Sequence, residues 1–127
     1  MFGSSFRDLV AWQVGMDLVA EIYRITALFP PAERFGLVQQ TRRAAMSIPE
    51  NIAEGHGRQA IGAFAVHLQI ARGSAKEVET YLCLASRLGL VDGAALARGF
   101  ELTARSCQLL SRLTEGLRRR PTSPSRT

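Results

Sequence analysis

Apolar residues recur at steps of three and four along nearly the whole chain, and no stretch shows the period of two that a half-buried strand requires. The first such segment runs from about Asp8, an N-cap residue type, to Leu28. Leu9, Trp12, Met16, Val19, Tyr23 and Thr26 form its main stripe, with Leu18, Ile22, Ile25 and Phe29 as a second stripe beside it. Pro30 and Pro31 stop it, because neither has a backbone N–H and each ring restricts the residue before it. A second helix is predicted from about Ala32 to Glu54, carried by Leu37, Thr41, Ala44, Ile48 and Ile52. Pro49 lies inside it and removes the bond to the Ala45 carbonyl, at a cost of about 3 kcal/mol. The helix either kinks and continues, the reading preferred here, or restarts with Ser47 and Glu50 as an S-x-x-E capping box. Gly55 and Gly57 end it.

The third segment, Ala60 to Leu88, carries Ile61, Phe64, Leu68, Ala71, Ala75, Val78, Leu82 and Ala85 in an unbroken three-four repeat. That spacing suits neighbours crossing at about +20°. A turn over residues 89–93 precedes a fourth helix with Asp92 as N-cap. Its stripe is Leu96, Gly99, Thr103, Ser106, Leu110, Leu113 and Leu117. Short turns between four helices predict an all-α, antiparallel up-down-up-down four-helix bundle over residues 1–117. Residues 118–127, RRRPTSPSRT, predict a disordered basic tail.

The 127 residues amount to one domain with a single core, too short for separate binding and catalytic domains. Sixteen Lys+Arg against eleven Asp+Glu give +5, which suggests a nucleic-acid partner. Four of those bases, Arg118, Arg119, Arg120 and Arg126, stand in the acid-free tail, so residues 1–117 hold twelve bases and eleven acids, a net of +1. No run reaches the ~18 apolar residues of a membrane span. Asp8 interrupts the stretch a signal peptide would need, so a cytoplasmic protein with no membrane association is expected. Cys83 and Cys107 are too few for a disulfide framework. Paired about the 90–91 turn, helices 3 and 4 would leave them nine residues out of step, ~13 Å at 1.5 Å per residue. A disulfide needs Cα atoms within about 7 Å, so two free thiols are expected.

Catalytic chemistry finds no footing. His56 and His67 are not preceded by glutamate at the Glu-x-x-His spacing of bundle metal sites, so no metal or other cofactor is expected. No nucleophile elbow, P-loop or dinucleotide fingerprint is present, and Gly55-His56-Gly57-Arg58 follows a helix, whose C-terminus repels phosphate. The chemically dense stretches are residues 40–58 and 70–79. Folded antiparallel about residues 57–59, they set Arg42 and Arg43 against Glu77, Ser47 against Ala71 and Arg72, and Asn51 against His67. One reading is a hydrogen-bonded seam that fixes register, with Glu77 and Glu79 neutralising the cations; the other is a phosphate-gripping patch of Arg42, Arg43, Arg58, Arg72 and Lys76. The outer face of helix 3 carries Val66, Ile70, Gly73 and Leu84 where a monomer would be polar, which marks it as an oligomer interface.

At these residues the chain resembles a known family. Arg42-Arg43-Ala44, Ser47-Ile48-Pro49, Asn51-Ile52-Ala53-Glu54-Gly55 and Arg58 are similar to the signature of the four helix bundle protein family, also called the 23S rRNA intervening-sequence or S23-like family. So are Ile70-Ala71-Arg72-Gly73-Ser74 with Glu77 and Glu79, and the opening Phe6-Arg7-Asp8-Leu9 with Trp12-Gln13. Phe29-Pro30, Glu33-Arg34 and Leu88-Gly89-Leu90 extend the likeness over about residues 6–90, with helix 4 following only in pattern. Glu50 departs from it, standing where the family commonly carries a small polar residue. The resemblance implies an antiparallel bundle, a homopentamer, a bacterial cytoplasmic setting and no enzymatic activity. RNA or a ribonucleoprotein is the partner it suggests; a pure protein-interaction scaffold and an accessory protein of a retroelement reverse transcriptase are the alternatives.

Overall fold

The computed structural model describes residues 5–119. Four α-helices, α1 (Val10–Thr26), α2 (Gln39–Gly57), α3 (Ile61–Arg87) and α4 (Gly93–Arg118), form the bundle, and there is no strand among the described residues. Each helix packs against the next and α4 closes against α1. Contacts run in opposite senses along each pair. On α1 and α2, Gly15 lies under Ile48 and Pro49 while Thr26 meets Arg42. On α2 and α3, Asn51 meets His67 and Ser47 meets Ser74. The antiparallel bundle expected from periodicity is the fold.

Helix α3 follows its sequence pattern closely: Phe64, Leu68, Ala71, Ala75, Val78, Leu82 and Ala85 are all buried, with Ile61 packed at the edge. It ends in a Schellman motif. Gly89 takes φ +66°, the Leu90 N–H donates to the Ala85 carbonyl and the Gly89 N–H to that of Ser86. Asp92 is the N-cap of α4, as expected, though its side chain makes no capping hydrogen bond.

Helix α1 departs from its pattern. The core takes the second stripe: Leu18, Ile22 and Ile25 are fully enclosed and Phe29 is buried, while Met16 and Tyr23 of the first stripe are exposed. Nor is Asp8 the cap. Ser5 Oγ caps a short 3₁₀ turn, Phe6–Asp8, by accepting from the Arg7 N–H, and α1 starts after Leu9.

Helix α2 begins later than predicted. Pro31–Glu33 form a 3₁₀ turn and Arg34–Val38 a wider π-helical turn before regular α-geometry begins at Gln39. It then runs unbroken through Pro49 to Gly57, which settles against the restart. Ser47 Oγ does not cap; it accepts from Asn51 Nδ2 at 3.0 Å and from Ser74 Oγ at 2.8 Å. Gly55 does not terminate the helix but permits α2 and α3 to touch, since a Cβ there would lie 2.7 Å from His67 Cβ.

Arg118 is the last residue of α4 and Arg119 its C-cap, so the helix reaches one residue into the segment read as tail. Residues 120–127, where the rest of that basic tail was expected, lie outside the described residues.

Candidate nucleic-acid and assembly surfaces

The α2–α3 seam is a chain of polar contacts at helical spacing. Ser74 Oγ donates to Ser47 Oγ, Asn51 Nδ2 donates to the Ser47 carbonyl at 2.8 Å, and Asn51 Oδ1 lies 2.9 Å from His67 Nδ1. With the Asn51 amide donating toward Ser47, its oxygen accepts the His67 Nδ1–H. The expected Asn51–His67 pairing holds; Ser47 pairs one turn further along α3 than expected, at Ser74 rather than Ala71 and Arg72. Beside it lies a cleft of about 180 Å³ lined by Gln40, Arg43, Ser47, Ser74, Glu77 and Tyr81.

Arg42 does not face Glu77. It turns to the other side of α2, where Nε donates to Thr26 Oγ1 at 2.8 Å, Nη2 reaches the Tyr23 carbonyl at 3.5 Å and the guanidinium carbon sits 4.3 Å from the centre of the Tyr23 ring. The physical reason is the C-terminal turn of α1, whose carbonyls carry the negative end of the helix dipole and attract a cation. Glu77 is exposed and makes no ion pair among the described residues.

The five cations grouped from the sequence occupy different places. Arg43 lines the α2–α3 cleft. Arg58 lies at the C-terminus of α2 and pairs with Glu54 at 3.3 Å. Lys76 pairs with Glu79 at 3.4 Å. Lys76 and Arg72 turn toward α4, near enough to act on the Cys107 thiol: burial pushes that thiol up, Lys76 lowers it, Glu79 raises it and Arg72 lowers it. The structure therefore brings Arg72 and Lys76 together and holds Arg42, Arg43 and Arg58 apart from them.

The outer-face residues of α3 lie where the sequence placed them. Val66, Ile70 and Leu84 are exposed, and a Cβ at Gly73 would meet nothing within 4 Å among the described residues. The cysteines are both free; Cys83 is exposed and Cys107 half-buried. No group of three metal-ligating side chains occurs among the described residues, and no described helix is long and apolar enough to cross a membrane.

A second polar region had no counterpart in the sequence reading. Where α1 meets the turns that lead into α2, a cavity of about 260 Å³ is lined by Arg34 and Arg42 over Phe29, Pro30, Pro31 and Val38. Next to it Phe35 stands 79% exposed, more than any other large apolar side chain among the described residues. The only available signal was an Arg-Phe pair following two prolines, and a continuous helix from Ala32 concealed it.

The chain matches the family described as 23S rRNA-intervening sequence protein over residues 7–112, which takes in most of α4. A solved structure from Bacteroides thetaiotaomicron, described as a protein with unknown function from the S23 ribosomal protein family, is 22% identical, with a TM-score of 0.77. The likeness covers 83% of this chain and 98% of that one, and shows the shared fold. No curated protein matches the chain.

Proposed function

Because the chain belongs to the 23S rRNA-intervening sequence protein family, which is not an enzyme family, we propose that it is a non-enzymatic bundle that self-assembles and binds RNA or a ribonucleoprotein. The observation that carries the assembly half is the outer face of α3. Val66, Ile70 and Leu84 stay exposed beside a solvent-facing Gly73 in the middle of a long helix. An interior glycine costs about 0.5–1 kcal/mol relative to alanine, and among the described residues no neighbour packs against it to compensate. A neighbouring copy packed closely against Gly73 would compensate. The homopentamer that the resemblance implies is the assembly proposed, in a cytoplasmic setting.

The RNA half is supported by exposed cations that carry no ion pair among the described residues, Arg43 and Arg72 among them, with Arg58 and Lys76 paired to exposed Glu54 and Glu79, which a phosphate can displace. Five copies would multiply weak contacts into useful avidity. Glu77 within the same cleft as Arg43 favours the scaffold alternative, in which these charges meet a protein.

Light scattering separates the outcomes for assembly: Ile70→Glu is expected to give a helical protein of lower mass, and a monomeric unaltered chain at micromolar concentration would end the proposal. Binding to structured RNA, titrated against salt, tests the partner. A falling affinity with rising salt supports RNA; no binding at ~50 mM salt favours the scaffold.

A further inference from the structure

The cavity between α1 and the turns leading into α2 combines three features that single-stranded nucleic acid uses. First, two guanidiniums line it and no carboxylate does. The Arg34 side chain makes no hydrogen bond or ion pair among the described residues; its guanidinium carbon stands 6.0 Å from the centre of the Phe35 ring. Arg42 spends two of its N–H groups on Thr26 and Tyr23, and a guanidinium has five. Second, the floor is apolar and rigid, built from Phe29, Val38 and the two prolines. Third, Phe35 projects into solvent beside it, and an aromatic face offers a platform to any base. The π-helical turn over Arg34–Val38 produces this arrangement, because widening the helix there sets Phe35 outward while Leu37 and Val38 stay buried.

We infer that this end of the bundle holds one unpaired nucleotide of a single-stranded RNA segment, its phosphate between Arg34 and Arg42 and its base stacked on Phe35. The inference rests on the RNA-binding reading and names where a strand is gripped. Size agrees: small-molecule pockets span roughly 300–1,000 Å³, and one of about 260 Å³ suits a phosphate and its sugar rather than a whole cofactor. Electrostatics explains why two cations are needed. The C-terminal carbonyls of α1 repel an anion, and Arg42 is partly used in offsetting them, so Arg34 supplies the net attraction. A double-stranded helix cannot supply the base, since its bases are stacked and paired.

The test uses the full chain and a fluorescein-labelled ten-residue oligoadenylate, read by anisotropy at low salt, with a duplex RNA of equal length in parallel. Single-strand affinity is expected to exceed duplex affinity. Arg34→Ala and Phe35→Leu are each expected to lower single-strand affinity about tenfold, while Phe35→Trp retains it, because stacking rather than apolar area is what matters. Arg34→Ala should also flatten the salt dependence by about one phosphate contact, a slope change of ~0.7. Neither side chain is buried or hydrogen-bonded, so circular dichroism should show an unaltered fold, and Arg112→Ala, beside Leu9 and Val10 at the other end of α1, serves as a distant control. Single-strand binding within twofold of the unaltered chain for both variants would overturn the site while leaving the RNA reading intact. Duplex binding without single-strand binding would also overturn it. Absence of binding to any RNA would remove the RNA reading itself, and the site with it.

Discussion

Truncating Arg42 to alanine removes three contributions at once: the donor to Thr26 Oγ1 at 2.8 Å, the cation 4.3 Å from the Tyr23 ring centre, and a positive charge at the C-terminal turn of α1. A hydrogen bond from a charged group contributes about 1.5–3 kcal/mol. A cation over an exposed aromatic ring adds about 0.5–1 kcal/mol, and a cation at a helix C-terminus about 0.3–1 kcal/mol. These do not simply add, because one half-buried guanidinium supplies all three. Thr26 also keeps its own bond to the Ile22 carbonyl at 2.6 Å, so no buried hydroxyl is orphaned. A net loss of about 2 kcal/mol is expected. At about 4 °C per kcal/mol for a domain of this size, the midpoint should fall by roughly 8 °C. Arg42→Lys, which keeps the charge but loses the planar fork, should fall between. Glu77→Ala should stay within about 0.5 kcal/mol of the unaltered chain, being exposed and without an ion pair. Thermal melts followed by circular dichroism, at one fixed protein concentration because assembly shifts the midpoint, provide the measurement. Equal losses for Arg42→Ala and Glu77→Ala would refute the reasoning, since they would mean that the two residues pair, an interaction whose rupture costs about 3–5 kcal/mol when buried.

Two further outcomes follow from packing and burial. Gly55→Ala should destabilise by about 1–3 kcal/mol, because its Cβ would come within 2.9 Å of Phe64 Cδ1 as well as against His67; Gly62→Ala, with nothing within 4 Å, should stabilise by about 0.5–1 kcal/mol in the same melts. Alkylation by iodoacetamide near pH 8 should label Cys83 first and Cys107 slowly, because burial raises the Cys107 thiol and leaves less thiolate at that pH; its rate should keep climbing as pH rises above the usual thiol range, and equal rates for the two would contradict the burial argument.

Periodicity made α3 legible because Phe64 to Ala85 form one unbroken three-four stripe, which the few apolar residues on the outer face, Val66, Ile70 and Leu84, do not match in length. Helix α1 carries two adjacent stripes with the same spacing, and spacing alone does not say which one turns inward. Trp12 and Tyr23 gave the first stripe the greater bulk, yet both have polar atoms, and Tyr23 stays at the surface where its hydroxyl reaches Met46 Sδ at 3.6 Å. The small residue Gly15 decides the matter. It lets α2 approach α1, with Ile48 and Pro49 as its neighbours, and that approach turns Leu18, Ile22 and Ile25 into the centre of the bundle.

The same limit governs the polar residues. Register between two antiparallel helices follows from a turn position, so Asn51 opposite His67 was within reach of the sequence. Arg42 was not, because its partner belongs to a third element: the carbonyls at the end of α1 compete with Glu77 for one guanidinium, and proximity to a helix terminus wins over a carboxylate across a different groove. A long cationic side chain at the edge of two grooves is thus assigned by which neighbour presents the nearest unsatisfied acceptor. Arg34 and Phe35 are a harder case, since neither belongs to the apolar stripe that begins at Leu37 and no motif marks them as a site. A continuous helix was expected from Ala32; the structure instead has a π-helical turn over Arg34–Val38, with Phe35 at the surface while Leu37 and Val38 are inside. An aromatic side chain left in water beside two guanidiniums, in a cavity lined by no carboxylate, depends on how the chain turns from α1 into α2, and that is why it emerges only with the structure.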